Sequence, residues 1–282
     1  MIHADIIQHS VNPAGNSLIT FQLAYPRFIH AQIMTHRVFS RNVSSSRAIP
    51  IKTMIKSVAE NVAMPADWTK NQAGMKADEL LDSDVAKEAR IIWLSASAAA
   101  IQHAERLNEL GLHKQHANRL LEPFMHVTTL LTATEFDNFF KLRLDEHAQP
   151  EIQELASQMK TCIDKSEPSE IDAGGWHVPY IYDNEYRLFP PTDLLAISAA
   201  RCARISYKTH GANPIVDPNS DIKLTKRLMA NGHWSPFEHQ AMAIAAPLPI
   251  ANFIGWLQYR HMLDRRDYKK ITKEAQDSHQ NA

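Results

Sequence analysis

Cysteine is scarce in this chain: 282 residues contain two, Cys162 and Cys202. Each sits in an apolar, helix-like context without a CxxC partner, which excludes a disulfide framework and points to a reducing interior. An excess of either charge is also missing, with 30 Lys+Arg against 31 Asp+Glu. There is therefore no global basic field of the kind nucleic-acid binders use, although a local anion site needs only a few residues. No apolar run approaches the ~18 residues of a membrane span. The opening MIHADIIQHS lacks a basic segment followed by an apolar one, so no signal peptide is expected. Glycine-rich phosphate loops of the Walker or dinucleotide type are absent. His113 with His116, and His233 with His239, lack carboxylates at ligand spacing, so no metal is expected. With 44% hydrophobic and 22% charged residues, the expectation is a soluble, cytoplasmic globular protein of one large domain or two modest ones.

Residues 17–25, SLITFQLAY, mix β-branched and aromatic side chains and end at Pro26, the pattern of a strand feeding a helix over about 27–37. Residues 61–82 read as a surface excursion. A long helix is expected from Asp84, ended by Gly111. A second is expected over 113–131 with a break at Pro123, and others over 135–144 and 148–163. Residues 164–192 are rich in proline, glycine and acids and form the expected linker. The first half is thus 1–163 and the second 193–268. The second half carries helices at 193–204 and 220–230, the strand-like HQAMAIAAPL and a helix from Pro249 to about Leu263. A flexible tail is expected over 269–282. The two ends share a layout: SLITFQLAYPRFIHAQIMTHR and HQAMAIAAPLPIANFIGWLQYR both read strand, proline, helix, arginine, which suggests an internal strand–helix repeat.

Directly after the first helix comes THRVFSRNVSSSR (35–47). It holds three basic side chains, four serines and an asparagine. Arginine matches phosphate geometry bidentately, and serine hydroxyls with exposed backbone N–H groups complete an anion cradle. A solvated serine-rich loop has the same composition, and the chemistry of the residues leaves both readings open.

The spacing His36-Arg37, Ser40, Asn42, Ser45, Arg47 resembles the signature of the flavin-dependent thymidylate synthases. Two further segments resemble that family. One is Arg119 with Pro123, followed by NFFKLRLDEHAQPEIQELA (138–156). The other is AARCARISY (199–207) with NGHWSPFEH (231–239). In ordinary members SPFEH precedes the signature; here it follows near the carboxyl end, and QYR stands where the family's RHR would be. The chain thus looks permuted and duplicated, like phage-type members, for which the setting would be the host cytoplasm.

The resemblance implies an α+β fold, a mostly antiparallel sheet flanked by helices. It implies transfer of a one-carbon unit from methylenetetrahydrofolate to C5 of dUMP, with FAD supplying hydride and NADPH regenerating the flavin. It implies a homo-oligomer, dimer or tetramer, with no nucleic acid or membrane partner. By motif match, Gln32, Ser45, Arg47, Arg119 and Arg143 would hold the nucleotide. Arg143 would also stabilise charge on the pyrimidine, and His233 would lie near the flavin or folate as a second catalytic residue. His36, Arg37, Asn138, His147, Ser206 and Ser235 would line FAD. Thr35, Val43, Ala48, Thr132 and Thr134 depart from the family pattern. Related expectations are therefore another C5 pyrimidine-nucleotide methylase or hydroxymethylase, for example on dCMP, or a non-catalytic nucleotide-binding relative.

Overall fold

Burial runs almost unbroken along SLITFQLAYP, as in a strand covered on both faces. In the computed structural model, which describes residues 1–74, 77–207 and 217–264, this run is the middle of the main sheet. β1 (His3–Val11) and β2 (Ser17–Pro26) form an antiparallel hairpin in which His3 faces Ala24 and Val11 faces Ser17. Asn12 builds the turn: its Oδ1 accepts from the backbone N–H of Ala14 at 3.1 Å and of Asn16 at 2.8 Å. Gly15 supplies the positive φ, 80°, that the turn requires.

After Pro26 a 3-10 turn (Arg27–Ile29) leads into α1 (His30–Met34), then β3 (Ser40–Val43) and α2 (Ile51–Glu60). The long α3 (Ser83–Glu109) closes at Gly111, and α4 (Lys114–Ala117) passes through a 3-10 turn (Asn118–Phe124) into β4 (His126–Ala133). α5 (Asp137–Arg143) and α6 (Pro150–Lys165) complete this part. There follow β5 (Ser169–Glu170), β6 (Trp176–His177), α7 (Pro191–Arg204) and α8 (Pro218–Ala230). β7 (Ala241–Ala243), β8 (Pro249–Ile250), β9 (Phe253–Ile254), β10 (Trp256–Gln258) and α9 (Tyr259–Asp264) end the described chain. The main sheet runs β3-β4-β2-β1-β5 and is antiparallel except where β1 meets β5; β10-β7-β6 form a smaller sheet. The class is the α+β fold the sequence suggested, with a mostly antiparallel sheet.

Because side chains alternate along a strand, β2 serves two cores. Ile19, Phe21, Leu23 and Tyr25 enter the large apolar cluster with Ile33, Met54, Val58, Leu155 and Met159. Leu18 packs instead with Ala241, Ala243, Phe253 and Trp256. On the same side Thr20 joins a buried polar chain. Ser10 Oγ lies 2.8 Å from His177 Nδ1, and His177 Nε2 lies 2.8 Å from Thr20 Oγ1. Thr20 reaches Thr132 at 2.7 Å, and Thr132 reaches His239 Nδ1 at 2.8 Å. Residues 164–192, expected as a linker, supply β5 and β6 to the two sheets.

Two expected helices are corrected. Helix was expected over 113–131, but after Phe124 the run HVTTLLTA is strand β4, paired with β2 on one side and β3 on the other. Apolar periodicity cannot separate a doubly buried strand from a helix, and the β-branched Val127, Thr128 and Thr129 decide for strand. The second is 249–263, where β8, β9 and β10 precede a helix confined to Tyr259–Asp264. Gly255 sits at φ 76° with a would-be Cβ 2.3 Å from Asn12 Nδ2, so helix cannot pass through it. The strand–proline–helix layout holds at the amino end as β2–α1, whereas at the carboxyl end β7, the strand within HQAMAIAAPL, is followed by β8, β9 and β10 before α9, so the expected repeat is not reproduced there. Strand β1 and helix α2 were not anticipated. The tail expected over 269–282 lies outside the described residues.

Candidate functional site

The serine-rich loop is held by its backbone, by the Ser44 and Ser46 side chains and by neighbouring residues. Ser44 exchanges bonds with Thr128 of β4, its N–H donating at 2.8 Å and its Oγ accepting at 3.0 Å. Ser45 N–H donates to Ser206 O at 3.0 Å, while Ala48 and Ile49 N–H both return to Ser45 O. Buried Asn118 donates to Ser46 O at 2.6 Å and Ile49 O at 3.0 Å, and Lys114 Nζ donates to Ala48 O at 2.6 Å. The loop's carbonyls are thereby bound inward. Ser45 Oγ and the Arg47 side chain are left facing outward.

They face a cavity of about 260 Å³ lined by Arg27, His30, Ser44, Ser45, Ser46, Arg47 and Arg119, with Val43, Met125 and Val127 as its apolar wall. Ser45, Arg47 and Arg119, assembled from distant positions, share this wall. Arg119 pairs with Glu122 at 2.6 Å, and Ser46 Oγ donates to the same carboxylate oxygen at 2.7 Å. Three guanidiniums against one carboxylate leave this ring at net +2. A phosphate monoester, near −2 at neutral pH, complements that charge.

Gln32, His36 and Arg143 form a second group. Arg143 donates from Nε to His36 Nε2 at 3.1 Å, from Nη1 to Gln32 Oε1 at 3.3 Å and from Nη2 to Thr35 Oγ1 at 3.3 Å. All three acceptors are neutral, and among the described residues no carboxylate pairs with Arg143. His36 is 6% exposed, its ring edge-on to Phe139 at 5.0 Å. Burial, then Arg143 and Arg41, hold its pKa below the ordinary value, so it stays neutral with its proton on Nδ1. Gln32 also donates to Gln149 Oε1 at 2.5 Å, which couples α1 to the start of α6.

The remaining candidates are dispersed. Arg37 opens onto a separate cavity of about 340 Å³ with Phe39, Arg41, Glu238, Asn252, Gln258, Arg260 and His261. Arg260 is paired with Glu238 there, and Arg41 donates to the carbonyls of Met34 and His36 at 3.1 Å each. His147 is exposed and lines a third cavity, of about 460 Å³, with Gln149 and Glu151. Asn138, His233 and Ser235 are exposed and border none of these three cavities. Ser206 lies against the signature loop through Ser45 and Val43. Thr132 belongs to the buried polar chain, and Thr134 Oγ1 accepts from Ile254 N–H at 3.1 Å.

The motif reading overlooked Arg27, His30, Arg41 and Arg260. Arg27 and His30 are three apart across the first helical turn, a spacing that places them on one face; only the fold shows that this face meets the serine loop. Among the described residues, no three His, Cys, Asp or Glu side chains gather as metal ligands. No described helix is long and apolar enough to cross a membrane.

A family model described as thymidylate synthase complementing protein, Thy1, matches residues 6–169. That span includes Ser45, Arg47, Arg119 and Arg143 but not Ser206, His233 or Ser235. A flavin-dependent thymidylate synthase of Wolbachia pipientis is 29% identical over 168 residues, 58% of this chain and 58% of the relative. One from Kosmotoga olearia is 27% identical over 147 residues, 51% of this chain and 62% of the relative. The chain therefore spans about three fifths of the length of these relatives. Among solved structures, a UMP/dUMP methylase of Streptomyces cacaoi bound with 5-Br UMP shares the fold, with a TM-score of 0.50 and 18% identity. That likeness covers 58% of this chain and 89% of the methylase.

Proposed function

The chain belongs to the thymidylate synthase complementing protein family, and from that premise we propose that it methylates C5 of a pyrimidine nucleoside monophosphate, dUMP, using flavin and methylenetetrahydrofolate. The observation that carries this reading is the cavity in which Ser45, Arg47 and Arg119 converge with net positive charge and no internal anion beyond Glu122. The phosphate would dock there on guanidinium and hydroxyl donors.

Arg143 would serve the base. Its bonds to His36, Gln32 and Thr35 fix the guanidinium without neutralising it. A fixed, uncompensated cation is suited to charge that develops on the pyrimidine as C5 becomes nucleophilic. Gln32, braced by Gln149, would orient the same nucleotide. Neither cysteine offers a covalent alternative: burial pushes both the Cys162 and Cys202 thiols up, away from thiolate. Catalysis would then depend on positioning and electrostatics.

Arg37, Arg41 and Arg260 fit the diphosphate of FAD, with His36, Asn138, His147, Ser206 and Ser235 as further contacts. When bound, FAD would supply the hydride that completes the methyl group, with NADPH as the reductant. Asn138, His147 and Ser235 stand apart on the single chain, and His233 is exposed, so the flavin and folate sites would be completed in a homodimer or homotetramer. Small-molecule substrates suit a cytoplasmic enzyme.

A second reading, a nucleotide-binding relative without flavin chemistry, is favoured by one observation. Thr132 and Thr134, where the family grips flavin, make internal bonds instead. One experiment separates the two. The purified protein is examined for a flavin absorption band, then incubated with dUMP or dCMP, methylenetetrahydrofolate, NADPH and FAD before mass analysis of the nucleotide. Methylated dUMP supports the proposal, and hydroxymethylated dCMP would move the substrate. A colourless protein that binds dUMP and leaves it unchanged would replace the enzyme reading with the binding one.

A further inference from the structure

Arg27 and His30 line the Ser45–Arg47–Arg119 cavity from the 3-10 turn and α1, outside the signature loop. The Arg27 backbone N–H is anchored on Met125 O at 2.9 Å, while its guanidinium makes no hydrogen bond or ion pair among the described residues. His30 is held from behind. Its Nδ1 lies 2.9 Å from the Tyr25 hydroxyl, which lies 2.7 Å from Thr129 Oγ1, and the two rings stack at 6.0 Å and 17°.

That chain has a direction. Tyr25 has one hydroxyl proton. If it donates to His30 Nδ1, Thr129 donates to the Tyr25 oxygen and the imidazole carries its proton on Nε2. If His30 donates instead, Nε2 presents a lone pair. An anion in the cavity accepts from the first arrangement and is repelled by the second.

We propose that Arg27 and His30 bind the substrate phosphate together with Ser45, Arg47 and Arg119, His30 acting as an Nε2–H donor in the tautomer that Tyr25 supports by donating to Nδ1. The assignment rests on the nucleotide reading above. Tyr25 and Thr129 are positioning residues; they touch no ligand. In the ligand-free chain burial, then Arg27 and Arg41, lower the His30 pKa to about 4, so at neutral pH the site carries the ring uncharged. That ligand-free site stands at net +2, which matches the charge of a monophosphate, near −2 at neutral pH.

Calorimetric titration of the full chain tests this with three ligands: dUMP, deoxyuridine and inorganic phosphate. Arg27→Gln and His30→Phe are each expected to weaken dUMP by about 10- to 100-fold, the range for a hydrogen bond to a charged group. Deoxyuridine, which lacks the phosphate, is expected to bind all variants equally, which a misfolded variant would not do. His30→Gln, which keeps an Nε2–H donor, is expected to recover most of the loss. Nitrogen NMR of His30 is expected to show the Nε2–H form once dUMP is bound; a ring that keeps its proton on Nδ1 with dUMP bound would overturn the donor role of His30. Unchanged dUMP affinity in both Arg27→Gln and His30→Phe would overturn the inference and leave the pyrimidine reading standing. Phosphate binding without dUMP binding, still weakened by Arg27→Gln, would keep the phosphate site and remove the pyrimidine reading. Binding of none of the three ligands would overturn both.

Discussion

Two sets of arginines in this chain keep different company. Arg201, 5% exposed on α7, bonds both oxygens of Glu185 at 2.6 Å and reaches Asp221 at 3.2 Å; Arg204 takes the other Asp221 oxygen at 2.7 Å. Asp221 is fully buried. Arg27, Arg47 and Arg143 have no carboxylate among the described residues, and Arg119 has Glu122 alone. The closed set balances its charge internally and joins α7 to α8 and to the turn at Glu185. The open set carries charge that only an outside anion can balance. Whether an arginine belongs to the fold or to a ligand is decided by its counter-ions, and sequence spacing does not supply that information.

The sharpest way to break the comparison is Arg201→Met. Removing one partner of a buried ion network leaves Glu185 without its counter-charge and Asp221 with Arg204 alone, so a loss of about 3–5 kcal/mol in unfolding free energy is expected from denaturant titration. A loss within the ordinary surface range of about 0.5 kcal/mol would mean that the closed set is not structural. Arg47→Gln is the mirror experiment. It should leave the denaturation midpoint unchanged and weaken dUMP by about 10- to 100-fold.

A third prediction compares histidines. His177 and His239 are wholly buried, and burial first of all lowers both to about 3, against 6.5 when unfolded. Above pH 6.5 both states are neutral. Between about 6.5 and 3 the unfolded chain takes up protons the folded one refuses, so stability falls as pH drops through that window. His239→Asn, which keeps a partner for Thr132 but cannot titrate, should flatten the slope of unfolding free energy between pH 6.5 and 5. An identical slope would refute the assignment. The smallest effect is expected from Cys162→Ala: turnover unchanged, because no thiolate takes part.

The strand–proline–helix at 17–34 was legible because β-branched residues, Pro26 and the helical spacing agree. That Ser45, Arg47 and Arg119 would gather at one place was anticipated through the family resemblance, and they do line one cavity; their spacing alone left a solvated loop equally open. β4 was not, because a strand covered on both faces loses the alternation that marks it. The segment 249–258 misled because its apolar content suits a helix, and the decisive contact, Gly255 against Asn12, joins opposite ends of the chain. Arg27 and His30 escaped for a related reason. Their place in the cavity depends on the register that brings Val127 and Ser44 beside them, a tertiary fact.

Release of the C5 hydrogen from dUMP tests the central claim most directly. With methylenetetrahydrofolate, NADPH and FAD present, the wild-type chain should release tritium from 5-tritiated dUMP. Arg47→Gln should release it about 10- to 100-fold more slowly at low dUMP and regain rate as dUMP is raised. No release by the wild type, or equal release by Arg47→Gln at low dUMP, would contradict a catalytic site built on the Ser45–Arg47–Arg119 cavity.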